Sequence, residues 1–165
     1  MGFGGTVLRY MFRAFITGVA TLFLGIPVPR HIFKPDRFPF RSFSFEKDGK
    51  IYTKIFVHKW KDLVPDASKV ISKMTKKRIQ KNVDEKALER LVQETCVAEI
   101  VHWILILLTP VYCIGLPIGY GVFLSILYAL GNYVFIVIQR YNRPRFIKAH
   151  ELMIKRNMRE KRGKQ

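Results

Sequence analysis

The longest feature of the hydropathy pattern is a stretch from Ile100 to Gln139 without a single Asp, Glu, Lys or Arg. Forty uncharged residues suit two membrane-crossing helices of about 17 to 20 residues each with a turn between them. Gly115-Leu116-Pro117-Ile118-Gly119-Tyr120-Gly121 reads as that turn. A second apolar run, Ala14 to Pro29, is sixteen residues long and closes on Pro27, Val28 and Pro29 before Arg30. Within a first hydrophobic segment set at residues 7–29, it either spans, with Arg13 snorkelling, or enters the bilayer partway. Arg9 and Arg13 also suit an uncleaved signal anchor, because Gly25 to Pro29 makes a poor cleavage site.

Residues 30–83 mix periodicities. Phe38, Phe40, Phe43 and Phe45 are threaded with Arg37 and Arg41, a composition suited to the headgroup level of a membrane. After a turn at Lys47-Asp48-Gly49-Lys50, the residues Ile51, Tyr52, Ile55, Phe56 and Trp60 fall at helical spacing and predict an interfacial amphipathic helix. Alternation of Ile51, Ile55 and Val57 also permits a hairpin about Asp48-Gly49. Ser68 to Asn82 reads as a basic surface helix. From Asp84, an N-cap residue, the helical pattern runs through Leu88, Leu91 and Val92 into the uncharged stretch, so residues 84–139 read as a long helix followed by a transmembrane hairpin. Residues 140–165 form a basic tail. The expected fold is an all-α integral membrane protein in one domain of 165 residues, with about three transmembrane helices plus cytoplasmic interfacial amphipathic helices.

Charge sets the sides. A formal net charge of +17 beside 49 % hydrophobic residues requires the two to be segregated along the chain. Arg30 to Glu99 carries seventeen Lys/Arg and the tail ten, whereas the turn in the hairpin has none. The middle segment and tail are therefore expected on the cytoplasmic side of a multi-pass cell-membrane protein, with the hairpin turn outside. The basic charge is thus assigned to topology and to phosphate recognition, with the lipid bilayer and no nucleic acid as partner. Nothing in the pattern sets an oligomeric state. Cys96 and Cys113 read as buried small hydrophobes and belong to no metal-type cluster, so no metal is expected.

The uncharged helices are not uniformly apolar. Thr95, Glu99 and His102 stand at i, i+4 and i+7 on one face, which Thr109 and Cys113 extend. On the last span Ser125, Tyr128, Asn132 and Gln139 make a second polar line. A carboxylate, imidazole or amide facing lipid is costly, about 2.5 to 3.5 kcal/mol for a charge at midspan, so both stripes should turn inward and meet. Simple helix adhesion needs less than a Glu and a His three residues apart. Next comes Gln139-Arg140-Tyr141-Asn142-Arg143-Pro144-Arg145, three guanidiniums around a proline. That fork geometry suits bidentate recognition of phosphate.

Trp60-Lys61-Asp62, the block Glu94-Thr95-Cys96-Val97-Ala98-Glu99-Ile100-Val101-His102-Trp103, Asn132 and the segment Gln139 to Arg145 together resemble the signature of the glycosyl-4,4′-diaponeurosporenoate acyltransferase family. The resemblance covers roughly Ile26 to Arg145. It implies a membrane enzyme that moves a fatty acyl group to a sugar hydroxyl of a carotenoid glycoside, the last step of staphyloxanthin synthesis. If so, His102 is the expected base and Glu99 orients or charge-stabilises its imidazole. Glu94, Thr95, Asn132, Gln139, Tyr141 and Asn142 then belong to the substrate site, with Asn132 or Gln139 on the oxyanion or sugar. Arg140, Arg143 and Arg145 would hold the phosphates of the donor, expected to be acyl-CoA, while Trp60 and Lys61 close the site from the interface and Asp62 belongs to the same substrate set. No bound cofactor is expected, and the acceptor is a glycosylated lipid or carotenoid.

Three rivals stand beside this. His31 and Asp36 match an HX4D element resembling the glycerolipid acyltransferase superfamily, without a glycine-rich block after it. A non-catalytic protein could bind anionic lipid or a protein partner through the basic surfaces. A membrane-embedded lipid methyltransferase is the third.

Overall fold

The computed structural model describes residues 2–25, 27–64 and 84–163. Every regular element among them is helical and no strand is present. In chain order these are α1 (Phe3–Gly25), α2 (Ile51–Lys54), α3 (Val57–Trp60), α4 (Glu85–Leu107), α5 (Thr109–Tyr112) and α6 (Ile118–Arg162), with 3-10 turns at Arg30–Ile32 and Ser44–Glu46. Among the described residues, α1 and α6 are the two helices long and apolar enough to cross a membrane. The helix expected over Ser68 to Asn82 lies outside the described residues.

The described chain divides into two compact units, Met1–Pro29 with Val97–Val137 and Arg30–Cys96 with Ile138–Gln165. In the first, Tyr10 and Ala14 of α1 and Tyr112 of α5 form a buried core. The rings of Tyr10, Tyr112 and Tyr128 meet edge to face, with centroids 5.5 Å apart for Tyr10–Tyr112 and 5.6 Å for Tyr112–Tyr128. Their hydroxyls are used as well: Tyr10 donates to Ser125 Oγ at 3.2 Å, and Thr17 Oγ1 donates to the Tyr112 hydroxyl at 2.7 Å. Phe3 meets Tyr120, so α1 starts beside the start of α6.

The apolar stretch after α4 begins is interrupted. Pro110 has no N–H for the carbonyl of Ile106, and α4 stops at Leu107. The Thr109 hydroxyl takes that carbonyl at 2.8 Å, and the chain resumes as the single turn α5. The end of α5 is capped from outside: Arg13 donates from one Nη to the carbonyls of Tyr112 at 2.8 Å and Ile114 at 2.5 Å. A cation at helix-terminal carbonyls is favourable, and Arg13 is held there rather than reaching for headgroups. The following turn is tight, because a Cβ on Gly121 would lie 3.1 Å from Cys113 Sγ. α6 begins at Ile118, inside the segment expected to be loop.

In the second unit, Leu88, Leu91 and Val92 of α4 bury against Phe146 of α6. Asp84 caps α4 by accepting from the Ala87 amide at 2.7 Å, as its position in the sequence predicts. The tail is not separate from the last apolar stretch: α6 runs for 45 residues through Pro144 into the basic end. Neither reading of residues 51–60 is realised as a whole. The hairpin is absent, and the single amphipathic helix is split into α2 and α3 at Phe56, whose φ is +54°. The break turns Tyr52 and Val57 inward while Ile55 and Phe56 stay exposed, and Trp60 Nε1 caps the Ile55 carbonyl at 2.9 Å.

Lys47, Asp48 and Gly49 follow one another with φ of +48°, +53° and +81°. Gly49 lies against α6 where Pro144 withholds an N–H from the Arg140 carbonyl. A Cβ there would stand 3.4 Å from the carbonyl oxygens of Arg140 and Tyr141. Gly49→Ala should therefore destabilise by about 1 kcal/mol or more, whereas Gly131→Ala, in open space within α6, should leave stability unchanged or higher. Thermal unfolding of the detergent-solubilised variants checks the contrast, and equal midpoints would contradict it.

Candidate functional site

The two polar stripes meet inside the first unit. His102, from α4, lies with Nδ1 2.9 Å from Asn132 Oδ1, from α6. The Asn132 amide is oriented by its other end, since Nδ2 donates to the Tyr128 carbonyl at 2.9 Å, one turn earlier. Oδ1 accepts, so His102 Nδ1 carries the proton, and Nε2 is the nitrogen with the lone pair in the neutral ring. Phe135, one turn after Asn132, stacks on the imidazole with centroids 4.6 Å apart and planes 12° off parallel. The ring is therefore fixed in both tilt and tautomer. Glu99, one turn before His102, has a fully buried side chain.

The arginines belong to the second unit, and the structure shows what two of them hold. Arg143 is buried: Nε donates to Thr95 Oγ1 at 2.9 Å, one Nη to the Phe40 carbonyl at 2.6 Å and the other to the Thr95 carbonyl at 3.1 Å. Arg140 donates from Nε to Glu46 Oε1 at 2.5 Å and from Nη2 to Glu46 Oε2 at 2.8 Å. Its Nη atoms also reach the carbonyls of Pro39 at 3.1 Å and Arg41 at 3.2 Å. Arg145 is exposed, with its guanidinium 3.8 Å above the Tyr141 ring.

The remaining sequence-derived residues divide in the same way. Glu94 is buried and paired with Arg30 at 2.9 Å, with Arg90 at 3.7 Å. Gln139, Tyr141 and Asn142 are buried on α6. Trp60, Lys61 and Asp62 bond locally, Lys61 Nζ to Asp62 Oδ1 at 3.0 Å. His31 is exposed in the first 3-10 turn.

Glu46, absent from the sequence-derived set, is the acid around which the second unit's polar groups gather. It is 2 % exposed and accepts from Arg140, from the Tyr52 hydroxyl and from the Phe43 amide at 2.7 Å. Burial raises its pKa, but the bonds from Arg140, Tyr52 and Phe43 outweigh that and hold the carboxyl below the usual glutamate range. Burial and the neighbouring Glu46 charge push the Tyr52 hydroxyl well up. Arg140 covers the Phe43 ring, 4.6 Å from its centroid. Beside this network lies a cavity of about 480 Å³ whose lining includes Phe40, Glu46, Arg140 and Arg143 and exposed charged side chains from residues 36–48 and 148–151.

Comparison with known proteins adds the chemistry. The family model described as glycosyl-4,4′-diaponeurosporenoate acyltransferase matches residues 29–152. The chain is similar to the glycosyl-4,4′-diaponeurosporenoate acyltransferase of Staphylococcus aureus strain bovine RF122 / ET3-1, with 31 % identity over 163 residues, covering 93 % of this chain and 98 % of that one. It is 34 % identical over 138 residues to the protein of the same description from strain MRSA252, covering 82 % of each. No solved structure matches the chain.

The Glu46 pair makes a pH-dependent contribution to stability. Because the folded carboxyl titrates below its ordinary value, the contribution is fully present above about pH 4.3 and is lost as pH falls through the lower folded value. Glu46→Gln should cost about 3 kcal/mol near neutral pH by leaving the guanidinium of Arg140 short of its counter-charge. It should also flatten the acid limb of the stability curve. Denaturant melts of both proteins from pH 7 down to 3 measure this; parallel acid limbs would exclude the assignment.

Proposed function

The chain belongs to the glycosyl-4,4′-diaponeurosporenoate acyltransferase family, and on that premise we propose that it transfers a fatty acyl group from acyl-CoA to a hydroxyl of a glycosylated lipid or carotenoid at the membrane. The observation that carries the catalytic reading is the bond from His102 Nδ1–H to Asn132 Oδ1, which presents Nε2 as a base. The acceptor O–H loses its proton to Nε2 as its oxygen attacks the thioester carbonyl. The C–O bond forms, the C–S bond breaks, and the proton passes from the imidazolium to the departing thiolate. Glu99, buried one turn before His102 on the same helix, serves in this reading to orient the imidazole. Asn132 positions the ring in this reading.

The arginines divide by their partners. Arg140 and Arg143 brace residues 39–46 against the helices, and Arg145, exposed on Tyr141, is the arginine of this segment suited to donor phosphate. For topology, α1, the apolar end of α4 with α5, and α6 make three crossings, with the middle segment and tail cytoplasmic. The start of α1 lies beside the start of α6 at the Phe3–Tyr120 contact, which supports an N-terminus on the same side as the outward hairpin turn. The alternative catalytic pair is less well supported, because among the described residues no hydrogen bond fixes the ring of the exposed His31.

Transfer of labelled acyl groups from acyl-CoA to an alkyl glucoside, by the full chain in nanodiscs, tests the assignment. His102→Gln should lower turnover by about 10²-fold or more and Asn132→Leu by a smaller factor, while His31→Ala should retain activity. Full turnover in His102→Gln protein that inserts normally would sink it.

A further inference from the structure

His102 and Asn132 belong to the two polar stripes, but the face of the imidazole is covered by a residue outside both. Phe135 follows Asn132 by three positions on α6 and lies over the His102 ring, centroids 4.6 Å apart and planes 12° from parallel. Its neighbours Tyr133 and Val134 are exposed and Ile136 is buried, whereas Phe135 itself is half-buried. In the sequence it is one more apolar residue in a run of them, and it stands outside the family-like blocks.

The tyrosine pairs of the first unit are arranged differently. Tyr10–Tyr112, Tyr112–Tyr128 and Phe3–Tyr120 cross at 85°, 88° and 71°, edge to face. In such pairs the positive edge of one neutral ring meets the negative face of another. In the His102–Phe135 stack the plane of the imidazole lies over the negative face of the benzene ring instead. With a neutral imidazole that contact is burial and dispersion, and with an imidazolium it gains the attraction of a cation to the ring face. Asn132, the partner at Nδ1, is a neutral amide that sets the direction of the ring without a counter-charge. The stack, by contrast, interacts more strongly with one protonation state of His102 than with the other.

We infer that Phe135 is a positioning residue for the transfer: its ring face holds the plane of His102 and favours the imidazolium formed when the acceptor O–H passes its proton to Nε2. This role rests on the acyl-transfer reading, in which His102 is the base. The gain arises as positive charge grows on the imidazole, so it belongs to kcat rather than to the KM of either substrate.

Fluorination of the Phe135 ring withdraws electron density from its face while nearly keeping its size. The full chain in nanodiscs, with Phe135 replaced by mono- or trifluorinated phenylalanine, is assayed for transfer from acyl-CoA to an alkyl glucoside. The expected result is a kcat lower by about twofold with one fluorine and by about tenfold with three, while both KM values stay within about twofold. Phe135→Leu, which keeps an apolar side chain without a ring face, should lose about tenfold or more, and Phe135→Tyr should recover most of that loss. Nitrogen NMR of labelled histidine, assigned by the signal missing in His102→Gln protein, should show Nδ1 as the protonated nitrogen of the neutral ring throughout the fluorinated series. Transfer by the wild type with equal kcat across that series would overturn the role of Phe135 and leave His102 as the base. A fall in kcat accompanied by a change of tautomer would also overturn it, because the loss would then be one of ring placement alone. No transfer by the wild type, or full turnover in His102→Gln protein, would remove the acyl-transfer reading and the role of Phe135 with it.

Discussion

The ion pair between Glu46 and Arg140 is the constraint on which the arrangement of the second unit depends. Both charges are taken largely out of water, which costs several kcal/mol per ion unless their hydrogen-bonding capacity is met. The structure meets it from four directions. Glu46 accepts from two guanidinium nitrogens, a phenol and a backbone amide, and Arg140 completes its set on the carbonyls of Pro39 and Arg41. Once those partners are required, residues 39 to 52 have little freedom. The 3-10 turn must bring Glu46 to α6, the next three residues must reverse through the left-handed region, and Tyr52 must face back inward. Arg143 repeats the device one turn further along α6, where it joins the Phe40 carbonyl to Thr95 of α4.

Two prolines shape the molecule by the same mechanism. Each removes one backbone donor from a helix and leaves one carbonyl to be met by something else. At Pro110 the neighbouring Thr109 hydroxyl meets it, and α4 ends. At Pro144 the helix continues, and the glycine of the left-handed turn approaches the Arg140 carbonyl with only hydrogen atoms at its surface. The outcome differs because α6 is held on both sides of Pro144 by Arg140, Arg143 and Phe146, whereas beyond Pro110 the chain must turn back.

What was legible in the sequence follows from the range of the interaction concerned. The apolar helices, the Asp84 cap and the meeting of the two polar stripes were readable, because periodicity and hydrophobicity act within a helix or between helices joined by a short turn. His102 and Asn132 are thirty residues apart, but the intervening hairpin leaves few ways to pair them. Glu46 was not readable. Its partner lies 94 residues on, and a lone Glu in an aromatic-basic stretch looks like a solvated charge. The split at Phe56 was hidden for a related reason: α2 and α3 follow the burial of Tyr52 and Val57, whereas helical spacing favoured Ile55 and Phe56.

The cluster Arg140, Arg143 and Arg145 shows why composition alone misassigns charge. Three guanidiniums within six residues look like an anion site, yet a guanidinium has five N–H donors in a fixed plane and recognises phosphate only along an edge that still has donors to offer. Arg143 points Nε and both Nη atoms at Thr95 and Phe40, and Arg140 points the same set at Glu46 and at two carbonyls. Three N–H donors of Arg143 and four of Arg140 already have acceptors, and diverting one of these to a phosphate would cost about 1–3 kcal/mol for each group left unsatisfied. Arg145 faces no such exchange, because it rests its face on Tyr141 and leaves its edges to solvent. The positive charge of this segment therefore has two separate uses. Two of its arginines line a cavity whose charges are mixed in sign, and the third stands exposed.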